Sequence, residues 1–227
     1  MLRGEDGSTV VEAAILLPLM VFLILMTLQL ALLQQARLMA DYAAFAAART
    51  GIVQSGNNGT DNGGTDGPMH DAAVFAVLPT FGRTDSFEQL AATAARFKVE
   101  DLALKGAGLS QIRVFILNPT ADAFSKWGGH LNGQELDFDD VRPGATDATL
   151  LSLQVRYLYE LRVPFANKVI QSLWMAAAGQ SFNDGTPEGV KLPALRTAGA
   201  LGKFYLPVEA FYTIRMQSNP FLKWAHP

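Results

Sequence analysis

A single carboxylate, Glu12, lies near the start of an apolar stretch that is long enough to cross a membrane. In residues 10–33 the only polar side chains are those of Glu12, Thr27 and Gln29. As a helix, this stretch of about 24 residues rises roughly 36 Å, which exceeds a hydrocarbon core of about 30 Å. A carboxylate is costly to place in lipid, so its presence there predicts a functional role such as pairing with a cation.

We expect this helix to be retained in the mature protein. A signal-peptide core has only about 7–15 apolar residues and ends at a small-residue cleavage site, whereas Gln34 and Gln35 follow Leu33. Pro18 lies inside the stretch. Because proline removes a backbone donor, it predicts a kink that membrane helices tolerate.

The pattern predicts that the helix continues beyond the membrane, over residues 34–50. These residues are strong helix formers, and Gly51 follows as a candidate C-terminal cap. Small side chains recur there at four-residue spacing, which lets helices approach closely: Ala36, Ala40, Ala44 and Ala48. Two alternatives stay open, since this stripe can pack on helices of partner subunits or on the globular part of its own chain.

The stretch GSTVVEAAILLPLMVFLILMTLQLALLQQARLMADYAAFAAAR resembles the TadE-like minor pilins, or pseudopilins, of Tad (tight adherence) type IV pilus and secretion systems. The resemblance rests on Gly7, on Glu12 after four intervening residues, and on the apolar helix that follows. It covers residues 4–50 well and the remainder only in outline.

The resemblance implies cleavage by a prepilin peptidase between Gly7 and Ser8, which makes Glu12 the fifth mature residue. Ala13 stands where the short major pilins of these systems usually carry an aromatic residue, and this chain has 227 residues. Both departures favour a minor subunit. The amine left on Ser8 would be able to pair with Glu12 of its own chain or a neighbour, and this pairing would offset part of the desolvation cost.

The resemblance also implies a location and partners. The chain would be inserted once in the bacterial inner membrane, with its C-terminal domain periplasmic or extracellular. It would assemble through its helix with other Tad pilins and with the inner-membrane assembly platform, to prime, cap or regulate a fibre used in adhesion or secretion.

Composition and motifs predict neither an enzyme nor a nucleic-acid-binding protein. The net charge is −3, the basic residues are scattered, and cysteine is absent. The sequence contains no nucleophile elbow, P-loop, HExxH or Rossmann fingerprint, and its three histidines are far apart. We therefore expect no catalytic residue, metal or cofactor. The alternatives are an uncleaved single-span protein whose outer domain binds a ligand or partner, and, less favoured, a membrane-anchored hydrolase.

Three segments have the composition of loops. Residues 55–68, SGNNGTDNGGTDGP, indicate a flexible linker, with calcium binding at Asp61 and Asp66 as the less favoured alternative. Residues 179–205 are rich in Gly and Pro. Residues 118–147 combine two aromatic residues that we expect to anchor the loop on the core with one histidine and an acidic run that is either solvated or cation-binding: Phe124, Trp127, His130, Glu135, Asp137, Asp139 and Asp140.

Alternating residues predict strands near 112–116, 151–161 and 208–216, and hence an antiparallel sheet with one apolar and one wet face. In the second strand Leu158 alone breaks the alternation. Helices are expected at 71–79, ended by Pro79, and after Ser86, a candidate N-cap. A third, VPFANKVIQSLWMAAAG, should cover the apolar face with Phe165, Val169, Leu173 and Trp174.

These patterns together predict an α+β, pilin-like chain. A leader would occupy residues 1–7, the membrane and assembly helix residues 8–50, the Gly/Asn-rich loop residues 51–68, and a periplasmic α+β domain residues 69–227.

Overall fold

The computed structural model describes residues 6–53, 66–178 and 192–225 of the chain. It has the predicted α+β architecture, in which a long N-terminal helix is followed by an antiparallel sheet and further helices. Most of the predicted leader, the greater part of the Gly-rich linker including Asp61, residues 179–191 and His226 lie outside the described residues.

Helix α1 is continuous from Asp6 to Val53, 48 residues, and includes Pro18. It extends beyond Gly51, so the prediction that this glycine caps the helix is wrong. Gly51 is buried against the domain, and a Cβ there would lie 2.6 Å from Met69 Sδ and 2.7 Å from Leu151 Cδ2. The absence of a side chain permits this close approach of helix and sheet.

The described residues form a three-stranded sheet of order β1-β2-β3, with β1 at Ile112–Asn118, β2 at Leu150–Glu160 and β3 at Tyr205–Arg215. Both pairings are antiparallel, and Val155 of the central strand pairs with Val114 on one side and Ala210 on the other. The three predicted strands are thus confirmed.

The apolar face of the sheet is covered mainly by α1 and by α2, Pro68–Val77. The outer half of α1, residues 29–53, packs on β2 and β3, while α2 packs on β1. The prediction that the segment VPFANKVIQSLWMAAAG, residues 163–179, covers this face is wrong in its main point. Leu173 of helix α6, Ala166–Ala178, and Phe165, which precedes this helix, are both exposed. The apolar face of the sheet is occupied by α1 and α2 instead.

The opposite face is buried over much of its length, so the expectation of a wet face is wrong for β2. Leu158 packs with Leu195 of α7, Leu192–Ala200, and with Leu104 at the end of α3, Phe87–Gly106. This contact explains why the alternation breaks at Leu158.

Further along the same face, the guanidinium of Arg156 lies 4.9 Å from the ring centre of Phe115 and forms a 3.1 Å ion pair with Glu209. Gln154 and Arg156 are both buried. A charged side chain is accommodated here because an aromatic ring and a carboxylate surround it.

The remaining helices fill the connections. Ser86 caps α3, as predicted, by accepting a hydrogen bond from Gln89 N at 3.3 Å. The predicted helix at 71–79 is α2 followed by a short 3-10 turn, Leu78–Thr80. The long segment after β1 contains α4, Ala121–Trp127, and the short α5, Ala145–Ala148.

Candidate functional site

Helix α1 has two environments, and the boundary between them lies at Gln29. Every side chain in residues 11–28 is exposed or half-buried, and most of these side chains are large and apolar. Those 18 residues correspond to about 27 Å of helix, close to the thickness of a hydrocarbon core. Within the described part of the chain, α1 is the helix long and apolar enough to cross a membrane.

The polar residues of this apolar band are placed differently. Gly7 and Ser8 belong to the first turn of α1, and Glu12 is exposed in its second turn. The Thr27 hydroxyl donates to Leu23 O at 2.9 Å. Its hydrogen bond is therefore satisfied inside the helix, as lipid requires. Glu12 consequently stands out as the charged group in the exposed band.

Gln29 connects the apolar band of α1 to the domain. It is completely buried, and its Oε1 accepts a hydrogen bond of 2.8 Å from the backbone N–H of Val163. The Tyr159 side chain lies nearby at the end of β2, and burial raises its pKa, whereas the charge of Arg162 lowers it. This buried hydrogen bond between a side chain of α1 and the backbone that follows β2 fixes the height of the domain along α1.

The stripe of small residues in the outer half of α1 faces the chain's own domain. Its four members have no exposed surface: Ala36, Ala40, Ala44 and Ala48. Ala43 and Ala47 are equally buried, and the Phe45 ring meets Tyr212 of β3 edge-on at 5.3 Å. The sequence left open whether the stripe packs on partner helices or on its own chain. In the structure, the stripe packs in the core of its own domain.

The loop aromatics serve the domain rather than an open surface. Phe124 is 1% exposed and packs with Leu136 and Ala148. Trp127 is half-buried and lies beside the Arg142 guanidinium at 5.3 Å and the Lys126 ammonium at 5.0 Å. Phe124 therefore anchors the loop on a small core of its own.

The acidic run of this loop is engaged in local contacts. Asp140 binds Arg142, and this hydrogen bond is the main cause that lowers the Asp140 pKa to about 2. His130 Nε2 lies 3.8 Å from a carboxylate oxygen of Asp137. Among the described residues, no three His, Cys, Asp or Glu side chains are grouped so that they could hold a metal ion. Asp66 is exposed at the start of the segment leading to α2.

Comparison with known families assigns the N-terminal part of the chain. Residues 7–49 match the family described as TadE-like protein. This segment is TadE-like. The match begins at Gly7 and contains Glu12, the apolar band and most of the buried alanine stripe. Through this segment the chain is similar to TadE-like proteins, which suggests a membrane protein associated with Tad pili. The search of curated proteins and the search of solved structures found no match.

The TadE-like segment thus contains both halves of α1, whereas the sheet domain lies outside the match. Sequence reasoning noted Gln29 only as a polar residue in an apolar stretch. Its uncharged amide at the end of the stretch was the available signal, because a buried amide needs a defined hydrogen-bond partner.

Proposed function

We propose that this protein is a minor pilin or pseudopilin of a Tad-type system. Its α1 crosses the cytoplasmic membrane once, its sheet domain lies on the periplasmic side, and a prepilin peptidase cleaves it between Gly7 and Ser8. It joins other pilin subunits at the assembly platform and acts structurally, to prime, cap or regulate the fibre.

The observation that carries this proposal is the exposed apolar band in residues 11–28, which contains Glu12 and lies within the TadE-like match. A monomer in water would not expose such a band, so it requires lipid or neighbouring helices. Because the alanine stripe is occupied by the chain's own domain, contacts between subunits fall chiefly to this band.

The division of the chain follows from the same argument. Residues 1–7 would be the leader, residues 8–28 the membrane and assembly segment, and residues 29–53 would form part of the outer domain together with residues 69–227. The Gly/Asn-rich residues between α1 and α2 would connect these parts. A role as an uncleaved, single-span protein with a partner-binding domain is the competing function.

N-terminal mass spectrometry of protein extracted from membranes tests the cleavage. We expect a mature chain that starts at Ser8. Gly7→Val should block processing, since the peptidase must approach the backbone closely at this position. Gly4→Val is the matched control and should be processed normally. An intact N-terminus on wild-type chains in cells that assemble Tad pili would favour the uncleaved alternative.

Glu12→Ala tests the assembly role of the carboxylate. The variant should insert at least as well as the wild type, because a costly charge is removed from the band. Crosslinking to neighbouring subunits and fibre formation should fail. Val11→Ala, one residue away, is the control and should leave both intact. Unchanged crosslinking of Glu12→Ala would remove this residue from the assembly mechanism.

A further inference from the structure

The domain has a defined end that points toward the membrane. Helix α1 runs antiparallel to β2, since Gln29 contacts Tyr159 and Val163 at the end of that strand, while Gly51 lies beside Leu151 at its start. The end of the sheet that contains the last residues of β2 and the first of β3 is therefore next to the apolar band of α1.

Helix α6 lies across this end of the sheet. Gln171 is buried, and its Nε2 donates to the backbone oxygen of Tyr205, the first residue of β3, at 3.1 Å. Trp174 packs against both the main core and the cluster around Leu158, and Met175 packs against the latter. One side of α6 thus closes the base of the domain.

The opposite side of α6 is apolar and exposed. Phe165 is 73% exposed and Leu173 63%, and Val169 and Ala176 continue the same side of the helix. Leu201, in the turn that leads into β3, is 81% exposed. Because the other side of α6 packs on the sheet, this side points away from the domain. It does so at the end of the domain that is next to the apolar band of α1.

Phe165 has an unusual backbone conformation. Its φ is +65°, and a bulky residue seldom adopts this left-handed region. Phe165 directly precedes α6 and lies two residues after Val163, whose backbone N–H donates to Gln29. The Phe165 side chain lies outside the core at this end of the domain.

Basic side chains predominate around this surface, although Glu160 and Glu100 act by their charge on Tyr205 at the same end of the sheet. Residues 161–178 and 192–204 contain no Asp or Glu, and Glu160, which precedes the first of these segments, is half-buried at the end of β2. Asp184 and Glu188, between the two segments, lie outside the described residues. Four basic residues in these segments are exposed: Arg162, Lys168, Arg196 and Lys203. Long basic side chains beside an apolar strip are typical of helices that lie in the interface of an anionic membrane.

We propose that the base of the domain rests on the membrane surface, with α6 lying in the headgroup region of anionic phospholipids. Phe165, Leu173 and Leu201 enter the boundary of the acyl chains, while Arg162, Lys168 and Lys203 contact lipid phosphates. The proposal rests on the membrane anchoring in the proposed function. It requires neither leader cleavage nor a fibre.

The absence of cysteine from the chain allows a direct test with single labels. The full chain is placed in vesicles of phosphatidylcholine and phosphatidylglycerol, with a bimane fluorophore on Leu173→Cys. Leu23→Cys, in the apolar band, reports on anchoring. Phe87→Cys is the matched control, because it is 84% exposed at the start of α3, about 28 Å of helix from the end of α3 that leads into β1.

Quenching by nitroxide-labelled lipids should be strong for the labels at Leu23 and Leu173, and several-fold weaker for the label at Phe87. If the Leu23 label is strongly quenched but the Leu173 label is quenched as weakly as the Phe87 label, the proposal is overturned. The anchoring of α1 in the membrane would then still stand. Weak quenching at Leu23 would show that the anchoring itself has failed, and the proposal would fail with it.

Two further measurements distinguish lipid from protein as the cover of this side of α6, and anionic from neutral headgroups. Aqueous iodide should quench Phe87→Cys more than Leu173→Cys. A Leu173 label protected from both iodide and lipid nitroxides would mean that another protein covers this side of α6, and this would overturn the proposal. Vesicles of phosphatidylcholine alone should reduce lipid quenching at Leu173, and equal quenching in both compositions would overturn the assignment of anionic headgroups.

Discussion

The outer half of α1 should be required for the domain to fold. A fragment of residues 69–227, which lacks α1, is expected to aggregate or remain unfolded. A fragment of residues 34–227 is expected to fold, because it keeps the helix that covers β2 and β3.

The size of the effect follows from the side chains that α1 covers. On β2 alone, three large side chains on the covered face are at most 2% exposed: Leu151, Leu153 and Val155. At about 1.5–3 kcal/mol for each buried side chain, their exposure costs about 4.5–9 kcal/mol, and somewhat less with a compact unfolded state. Typical domains are stable by about 5–15 kcal/mol, so the loss removes most or all of the stability.

Circular dichroism and thermal melting of the two fragments measure this difference. Two point variants in the longer fragment refine it. Ala44→Glu places an unpaired carboxylate at a position with no exposed surface and should cost several kcal/mol. Leu38→Glu, at a 67% exposed position of the same helix, should change stability by less than about 0.5 kcal/mol. Equal melting of the two fragments, or equal melting of the two variants, would refute the assignment of this half of α1 to the domain core.

Two further predictions concern buried polar groups. Asp101→Ala should destabilise the domain by about 1–3 kcal/mol in denaturant unfolding, because Gln111 N loses its 2.9 Å acceptor in a buried site; Asp101→Asn, which keeps an oxygen there, should lose less, and equal losses would contradict the reasoning. Burial lowers the pKa of His70, so the unfolded chain binds the proton more readily, and stability should fall as the pH drops below about 6.5, by at most about 1.4 kcal/mol per pH unit. In His70→Gln this slope should become shallower between pH 7 and 5, and an unchanged slope would assign it to other groups.

The strands could be predicted because their alternation is local information. Each inward side chain of β2 is followed by one on the other face, and the register with β1 and β3 follows that alternation. The wet face could not be predicted correctly, since the burial of Arg156 depends on Phe115 and Glu209, which come from two other strands. Tertiary context overrides the pattern here.

The covering helix was predicted wrongly for a related reason. The stripe of α6 has larger apolar side chains than the alanine stripe of α1, and hydrophobicity alone favours α6 as the cover. In the structure α1 covers the sheet instead, because Ala44 and Gly51 let its backbone lie directly against the strands. This close approach lets small side chains pack tightly and exclude water. The exposed stripe of α6 is then available for another surface.

The same packing limits how neighbouring subunits can use α1. Its small-residue face is filled by the sheet, so a neighbouring helix that approaches the outer half meets the opposite face. That face carries large and charged side chains, all exposed: Arg37, Leu38, Asp41, Tyr42 and Arg49. Such side chains keep helix backbones apart, whereas the apolar band of residues 11–28 has no domain beside it for most of its length. In the proposed fibre, close helix contacts between subunits would therefore be confined to the band that contains Glu12, where a charge in a low-dielectric environment has its strongest effect on register.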